Sequence, residues 1–166
     1  MKFDYLSLPE LPKDERKLVG FYIDDVYYGL PIMTVREVVN PTDVTRVPSM
    51  ARGVIGLAEH RDGIIPIVNL RTRFGLPPAE RTRRTKWIIA RVSEREVGIE
   101  VDRTGEVTAV NSSMIKDKPL LTGGSEPWFA EVYQARGILI FELKLSALVT
   151  DEVLSIPPRS SEGGNA

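Results

Sequence analysis

The chain of 166 residues is 42% hydrophobic and 27% charged, the composition of an ordinary globular domain. Its formal net charge of −1 favours neither nucleic acid nor an anionic membrane as the partner of the whole surface. It has no cysteine, which excludes disulfides, thiolate nucleophiles and Cys-ligated metal centres and fits a reducing, cytosolic setting. No apolar run approaches the roughly 20 residues that span a bilayer, and Met1 to Tyr5 lacks the layout of a signal peptide.

Residues 1–16 mix proline, acid and base around Leu6, Leu8 and Leu11, and read as an irregular lead-in, either frayed or docking through its leucines. Lys17 to Ile23 and Val26 to Leu30 are rich in Val, Phe, Tyr and Ile, and Asp24-Asp25 turns them into a first hairpin. Pro31 then opens an expected short helix, since its missing N–H costs nothing at a helix start. On that helix Ile32, Val35 and Val39 would share one face, with Met33 and Glu37 as an i,i+4 pair on the other. Asn40-Pro41 would stop it. Asp43 to Val47 reads as a short strand ended by Pro48.

Gly53 to Leu70 is two apolar runs hinged at Arg61-Asp62-Gly63, a strong hairpin signal because a tight turn needs the positive φ that glycine tolerates. The run Ile64 to Val68 is almost free of polar residues, which predicts burial on both faces. Pro66 lies within it, so that strand is expected at an edge or bulged. Leu70 to Phe74 is one helical turn closed by Gly75, and Pro77-Pro78 leads into the basic run Arg81, Arg83, Arg84, Lys86.

Lys86 to Val92, with Trp87, is a buried-type strand. Val97 to Asp102 alternates, so Glu100 and Asp102 are expected on a wet face. Thr104-Gly105 turns the chain into Glu106 to Val110. Residues 111–124 are polar apart from Leu120-Leu121. Trp128 to Gln134 and Gly137 to Leu143 form a last hairpin, Leu143 to Val149 a short helix, and Ser155 to Ala166 a disordered tail. Many short strands and few helices indicate a mainly antiparallel β protein, parting at the basic run into halves of similar strand content.

Few residues here carry chemistry. His60 is the one histidine, so a His-based zinc centre is excluded, and no phosphate loop or nucleophile elbow is present. Glu100 and Asp102 are either an acid–base pair or a solvated face. The run Arg81 to Lys86 is either a phosphate grip or a linker kept soluble by charge. Glu37 and Arg61 are able to form an ion pair holding the expected helix against the hairpin.

Several stretches in this order match one family: Phe21 to Pro31, Val35-Arg36-Glu37-Val38, Val44 to Pro48, Gly53 to Gly56, Ile64 to Arg71, and Val97 to Asp102. Over Leu18 to Val149 the chain resembles the CheW-like coupling proteins, adaptors of bacterial chemosensory arrays. The resemblance implies two intertwined five-stranded SH3-like β-barrels around a shared core, about 17–78 and 84–150, a cytoplasmic location at receptor arrays, no catalysis and no cofactor or metal. It implies two partners, the C-terminal regulatory domain of a CheA-type histidine kinase and the cytoplasmic tip of a chemoreceptor. Neither nucleic acid nor the membrane interior is among the implied partners, the rival reading being a small β-barrel nucleic-acid binder using Arg81 to Lys86. Carried onto this chain, the receptor-binding residues are Ile32, Val35, Glu37 and Arg61, and the kinase-binding residues are Val44, Thr45, Val47 and Gly56. The family's hairpin reads Asn-Leu-Arg-Gly; this chain reads Glu59-His60-Arg61-Asp62-Gly63, which inserts Asp62 after the shared arginine.

Overall fold

The computed structural model describes residues 14–48, 50–117, 128–150 and 153. The lead-in leucines, Leu120-Leu121 and the tail from Ser155 lie outside them. The strands are β1 (Arg16–Ile23), β2 (Val26–Pro31), β3 (Val35–Val39), β4 (Val54–His60), β5 (Gly63–Asn69), β6 (Lys86–Val92), β7 (Arg95–Val101), β8 (Arg103–Val110), β9 (Ile115–Lys116), β10 (Phe129–Ala135) and β11 (Ile138–Leu143). Two four-residue helices, α1 (Leu70–Arg73) and α2 (Leu145–Leu148), complete the regular structure with 3-10 turns at Ile32–Thr34 and Ser112–Met114.

The strands form two sheets. One is ordered β8-β1-β2-β11-β10-β9, the other β3-β6-β7-β5-β4. The fold is therefore mainly β with few helices, and the first sheet has a sixth, two-residue strand. The sheets do not divide at the basic run. That run lies between β5 and β6, inside the five-stranded sheet. All of β3 to β7 belongs to that sheet, and the six-stranded one is assembled from the strands on either side.

Alternation along each strand sends its side chains into two different interiors. Leu18, Tyr27, Val110, Tyr133 and Ile140 fill the inside of the six-stranded sheet. Ala58, Ile65, Ile67, Trp87 and Ile89 fill the inside of the five-stranded one. Their opposite faces meet in a larger shared core, where Phe21, Tyr28 and Leu30 pack with Val68, Ile88, Val97, Ile99 and Leu148. Each sheet thus curls around its own interior and lays its back against the other's. Ile65 to Val68 and Trp87 to Ala90 are buried on both faces for that reason. Each such aliphatic side chain contributes about 1.5–3 kcal/mol on burial.

Several local expectations need correction. Pro31 starts only a 3-10 turn, closed by Thr34 Oγ1 donating to the Pro31 carbonyl at 2.7 Å. Val35 to Val39 is then a strand, antiparallel to β6, with a register shift between Val35 and Glu37. β-Branched valines fit a pleated surface better than a helix, and the edge of β6 supplies hydrogen bonds that an isolated helical turn lacks. Ile32, Val35 and Val39 therefore share no helical face. Ile32 is exposed, Val35 packs on the shared core, and Val39 packs on the interior of the five-stranded sheet.

Asp43 to Val47 contributes a single bridge, Thr45 to Leu57, rather than a strand. Pro66 is neither at an edge nor at the bulge, which falls in β4 between Val54 and Gly56. Its neighbour across the hairpin, Leu57, turns its own N–H and carbonyl outward to Thr45, so Pro66 points away from β4. There the parallel ladder to β7 begins one residue later, at Ile67, so the absent N–H breaks no bond. In the hairpin turn the positive φ belongs to Arg61, at 52°, and not to Gly63. Arg103 to Val110 runs on as one strand without a turn at Thr104-Gly105; its register against β1 shifts there instead, between Val19 and Phe21, and the Tyr27 ring lies directly against Gly105.

Candidate functional site

Two of the expected site residues meet in the structure. Glu37 leaves β3 beside the end of the β4–β5 hairpin. Arg61 Nε and Nη2 each donate to one of its carboxylate oxygens at 2.9 Å, a two-pronged pair. The left-handed conformation of Arg61 is what brings its fork back over β3. His60 joins from below, with Nε2 at 2.6 Å from Glu37 Oε1 and only 12% of its side chain exposed. A carboxylate only accepts, so the proton of this contact sits on Nε2. Sequence spacing carried no sign of the His60 contact, because His60 and Glu37 are joined only by sheet packing.

The Arg61 bonds, and after them His60, hold the Glu37 carboxyl below the usual carboxylate range despite some desolvation. Glu37 in turn raises the Arg61 pKa. In the same stretch Met33 is 91% exposed and Ile32 and Val38 are also exposed, Val38 on the face of β3 opposite Glu37. Val35 is half-buried and packs against the shared core.

The second expected group is assembled more tightly. Thr45 and Leu57 exchange two backbone bonds of 2.9 and 2.8 Å, strapping the segment around Thr45 across the outer edge of β4. Val44 seats against the interior of the five-stranded sheet. Gly56 lies directly under the strap at φ +152°. A Cβ there would come within 2.4 Å of both the Thr45 carbonyl oxygen and Val44 Cγ1. Val47 projects beyond the strap and is exposed. Both groups are thus carried by the five-stranded sheet and its connections.

Two polar networks have no counterpart in the sequence pattern. Glu100 is 8% exposed, not on a wet face. It accepts from Trp87 Nε1 at 3.0 Å, Arg81 Nε at 2.8 Å and Asn69 Nδ2 at 2.8 Å. Its partner in the acid–base reading, Asp102, is engaged elsewhere: Arg71 Nε and Nη2 donate to its two oxygens, both at 2.9 Å. Arg71 also pairs with Asp24 in the β1–β2 turn, and the Asp24 N–H donates to Asp102. Both carboxylates of the supposed pair are therefore bound to cations and N–H donors, an arrangement that holds structure together. Arg81, the first member of the basic run, is held by Glu100 and lies over the Trp87 ring.

Among the described residues, no group of three or more His, Asp or Glu side chains is arranged to hold a metal. No helix among them is long and apolar enough to cross a membrane.

The fold and site define a β domain with two curled sheets around a shared core, bearing its charged anchor and exposed apolar residues on one sheet. A family model described as the CheW-like domain matches residues 17–153, and the chain belongs to that family. A probable chemotaxis protein CheW of Rhizobium etli is 30% identical over 148 residues, covering 89% of this chain and 92% of that one. The chemotaxis protein CheW of Treponema pallidum is 34% identical over 140 residues, covering 80% and 82%. Among solved structures, the scaffolding protein TtCheW from Thermoanaerobacter tengcongensis aligns with a TM-score of 0.73 at 26% identity, covering 83% of this chain and 92% of that one. The pair of SH3-like barrels expected from the sequence agrees with this likeness.

Proposed function

We propose that the protein is a non-catalytic adaptor that couples chemoreceptors to a CheA-type histidine kinase, in the cytoplasm at a receptor array. The observation that carries this reading is the family match across nearly the whole folded chain, joined to its likeness to a scaffolding protein. The geometry supports it. The Glu37–Arg61 ion pair, the exposed Met33, Ile32 and Val38, and the segment around Thr45 strapped to β4 over Gly56 all belong to the five-stranded sheet and its connections. An apolar patch with a polar, hydrogen-bonded rim is the anatomy of a protein interface.

We assign receptor contact to Ile32, Val35, Glu37 and Arg61, and kinase contact to Val44, Thr45, Val47 and Gly56. The test is binding of the full chain to the C-terminal regulatory domain of the cognate kinase and, separately, to receptor cytoplasmic fragments in a reconstituted array. Binding of neither partner would overturn the reading. The nucleic-acid alternative loses its support, since Arg81 is spoken for by Glu100 and the run forms no continuous stripe with aromatic platforms.

A further inference from the structure

The remainder of the basic run is gathered with two residues from elsewhere. Arg83, Arg84 and Lys86 converge with Arg103 and Thr104 around one hollow of about 360 Å³. The contributions come from both sheets: Lys86 begins β6 in the five-stranded one, and Arg103 and Thr104 begin β8 in the six-stranded one. The walls are positioned. Lys86 Nζ donates to the Arg83 carbonyl at 2.7 Å, and the Arg103 guanidinium lies 3.6 Å from the centre of the Tyr22 ring. Asp102, the acid next to Arg103 in sequence, is bonded to Arg71. Whereas Arg61, Arg71 and Arg81 each have a carboxylate, none of the four cations at the hollow has one among the described residues.

Folding therefore brings four positive charges to one small space and leaves their mutual repulsion uncompensated. Water and salt screen the exposed members of the group in part, and an anion of high charge density would relieve the rest. A linked pair of phosphates delivers three or four negative charges in one compact group, and guanidinium forks match phosphate oxygens in pairs. Carboxylates would have to arrive on several separate side chains to do the same. The lining has no aromatic ring to take a base, and its cations face a hollow rather than a stripe, so neither a nucleobase nor a nucleic-acid backbone is matched.

We propose that this hollow is a binding site for a soluble, compact polyphosphate anion, of the pyrophosphate class, recognised through its phosphates alone. A bound anion would join the starts of β6 and β8 and so tie the two sheets together at their seam. The proposal is independent of the adaptor reading, and its test uses no signalling partner.

The experiment is isothermal titration of the full chain at low salt with pyrophosphate, orthophosphate, ADP and a glutamate-rich peptide. Pyrophosphate is expected to bind saturably at one site, orthophosphate more weakly, and ADP like pyrophosphate. Raising the salt should weaken all three. Arg83→Glu/Arg84→Glu should weaken pyrophosphate by at least about tenfold, in line with the loss of one charged hydrogen bond. Arg91→Glu, a single charge reversal on exposed β6 surface away from the hollow, should leave it unchanged, whereas the equal single reversal Arg84→Glu should weaken it. If the double variant unfolds on heating below the working temperature, Arg84→Gln gives the same readout with less disturbance. Absence of saturable binding would overturn the proposal, as would equal weakening by Arg91→Glu. Tighter binding of the acidic peptide, lost in the same variants, would overturn it in favour of a protein partner.

Discussion

At the residue scale the Glu37–Arg61–His60 contact makes definite predictions. Arg61→Ala removes the largest influence on the Glu37 carboxyl, so its pKa should rise toward the ordinary range, as read by carboxyl NMR titration. Because the folded value is lowered, the stabilisation that Glu37 supplies is fully present above the ordinary carboxylate pKa. It disappears as pH falls through the lower folded value, so the anchor should hold at neutral pH and loosen only in acid. Either Glu37→Ala or Arg61→Ala should weaken receptor or kinase binding by about tenfold while the far-ultraviolet spectrum is kept, since the loss is of a positioned charge pair at an interface. Glu100 is the opposite case. Glu100→Ala would leave the Trp87 N–H buried without an acceptor and free Arg81, and should cost about 2–3 kcal/mol in a urea titration. The ion pair was legible in the sequence as two residues capable of pairing. The buried glutamate was not, because an alternating strand looks wet on one face until the sheet behind it is known.

At the element scale the informative failure is Val35 to Val39. Its valines recur at a spacing that suits a helix as well as a strand, and only the free edge of β6 decides between them. The opposite holds for the β4–β5 hairpin, where two apolar runs and an Asp-Gly turn were enough. Yet even there the residue in the left-handed region is Arg61, not the glycine that the Asp-Gly pair marks out. Gly56 tests the strap. Gly56→Ala should push the Val44–Thr45 segment off β4, abolish hydrogen-exchange protection of the Thr45 and Leu57 amides, and weaken kinase binding before it unfolds the protein. Gly98 tests the parallel β5–β7 contact, where a Cβ would meet Ile67 Cδ1 at 2.4 Å. Gly98→Val should cost about 1–3 kcal/mol by overpacking, measured by denaturant midpoint, and should not alter the surface contacts directly.

At the scale of the whole molecule, the class of fold was readable from strand and turn content, but the partition of strands between sheets was not. Nothing in β1 or β2 says that their neighbours are β8 and β11. That knowledge resides in pairings between distant segments, which a pattern of local periodicity does not record. Arg71 is the side chain that registers this arrangement, holding Asp24 from one sheet's hairpin and Asp102 from the passage between sheets, with 15% of its own side chain exposed. Arg71→Ala should destabilise the protein by about 2 kcal/mol, more than an exposed pair is worth, in a single transition that includes both sheets.

The order of the strands also sets a timetable. The five-stranded sheet is one uninterrupted length of chain, entered after Pro31 and left at Asp102, and every one of its strands can find its neighbours within that length. β1 must wait for β8, and β2 for β11, which arrive only after the whole of that length has been made. A compact intervening sheet shortens the loop that remains to be closed and so lowers the entropic cost of pairing β1 with β8 and β2 with β11. On a ribosome the interior sheet therefore has the means to assemble first, while β1 and β2 stand as an unpartnered hairpin. In refolding from denaturant, amide protection should appear in β5, β6 and β7 before it appears in β1 and β8, and the late step should be the one that closes the shared core.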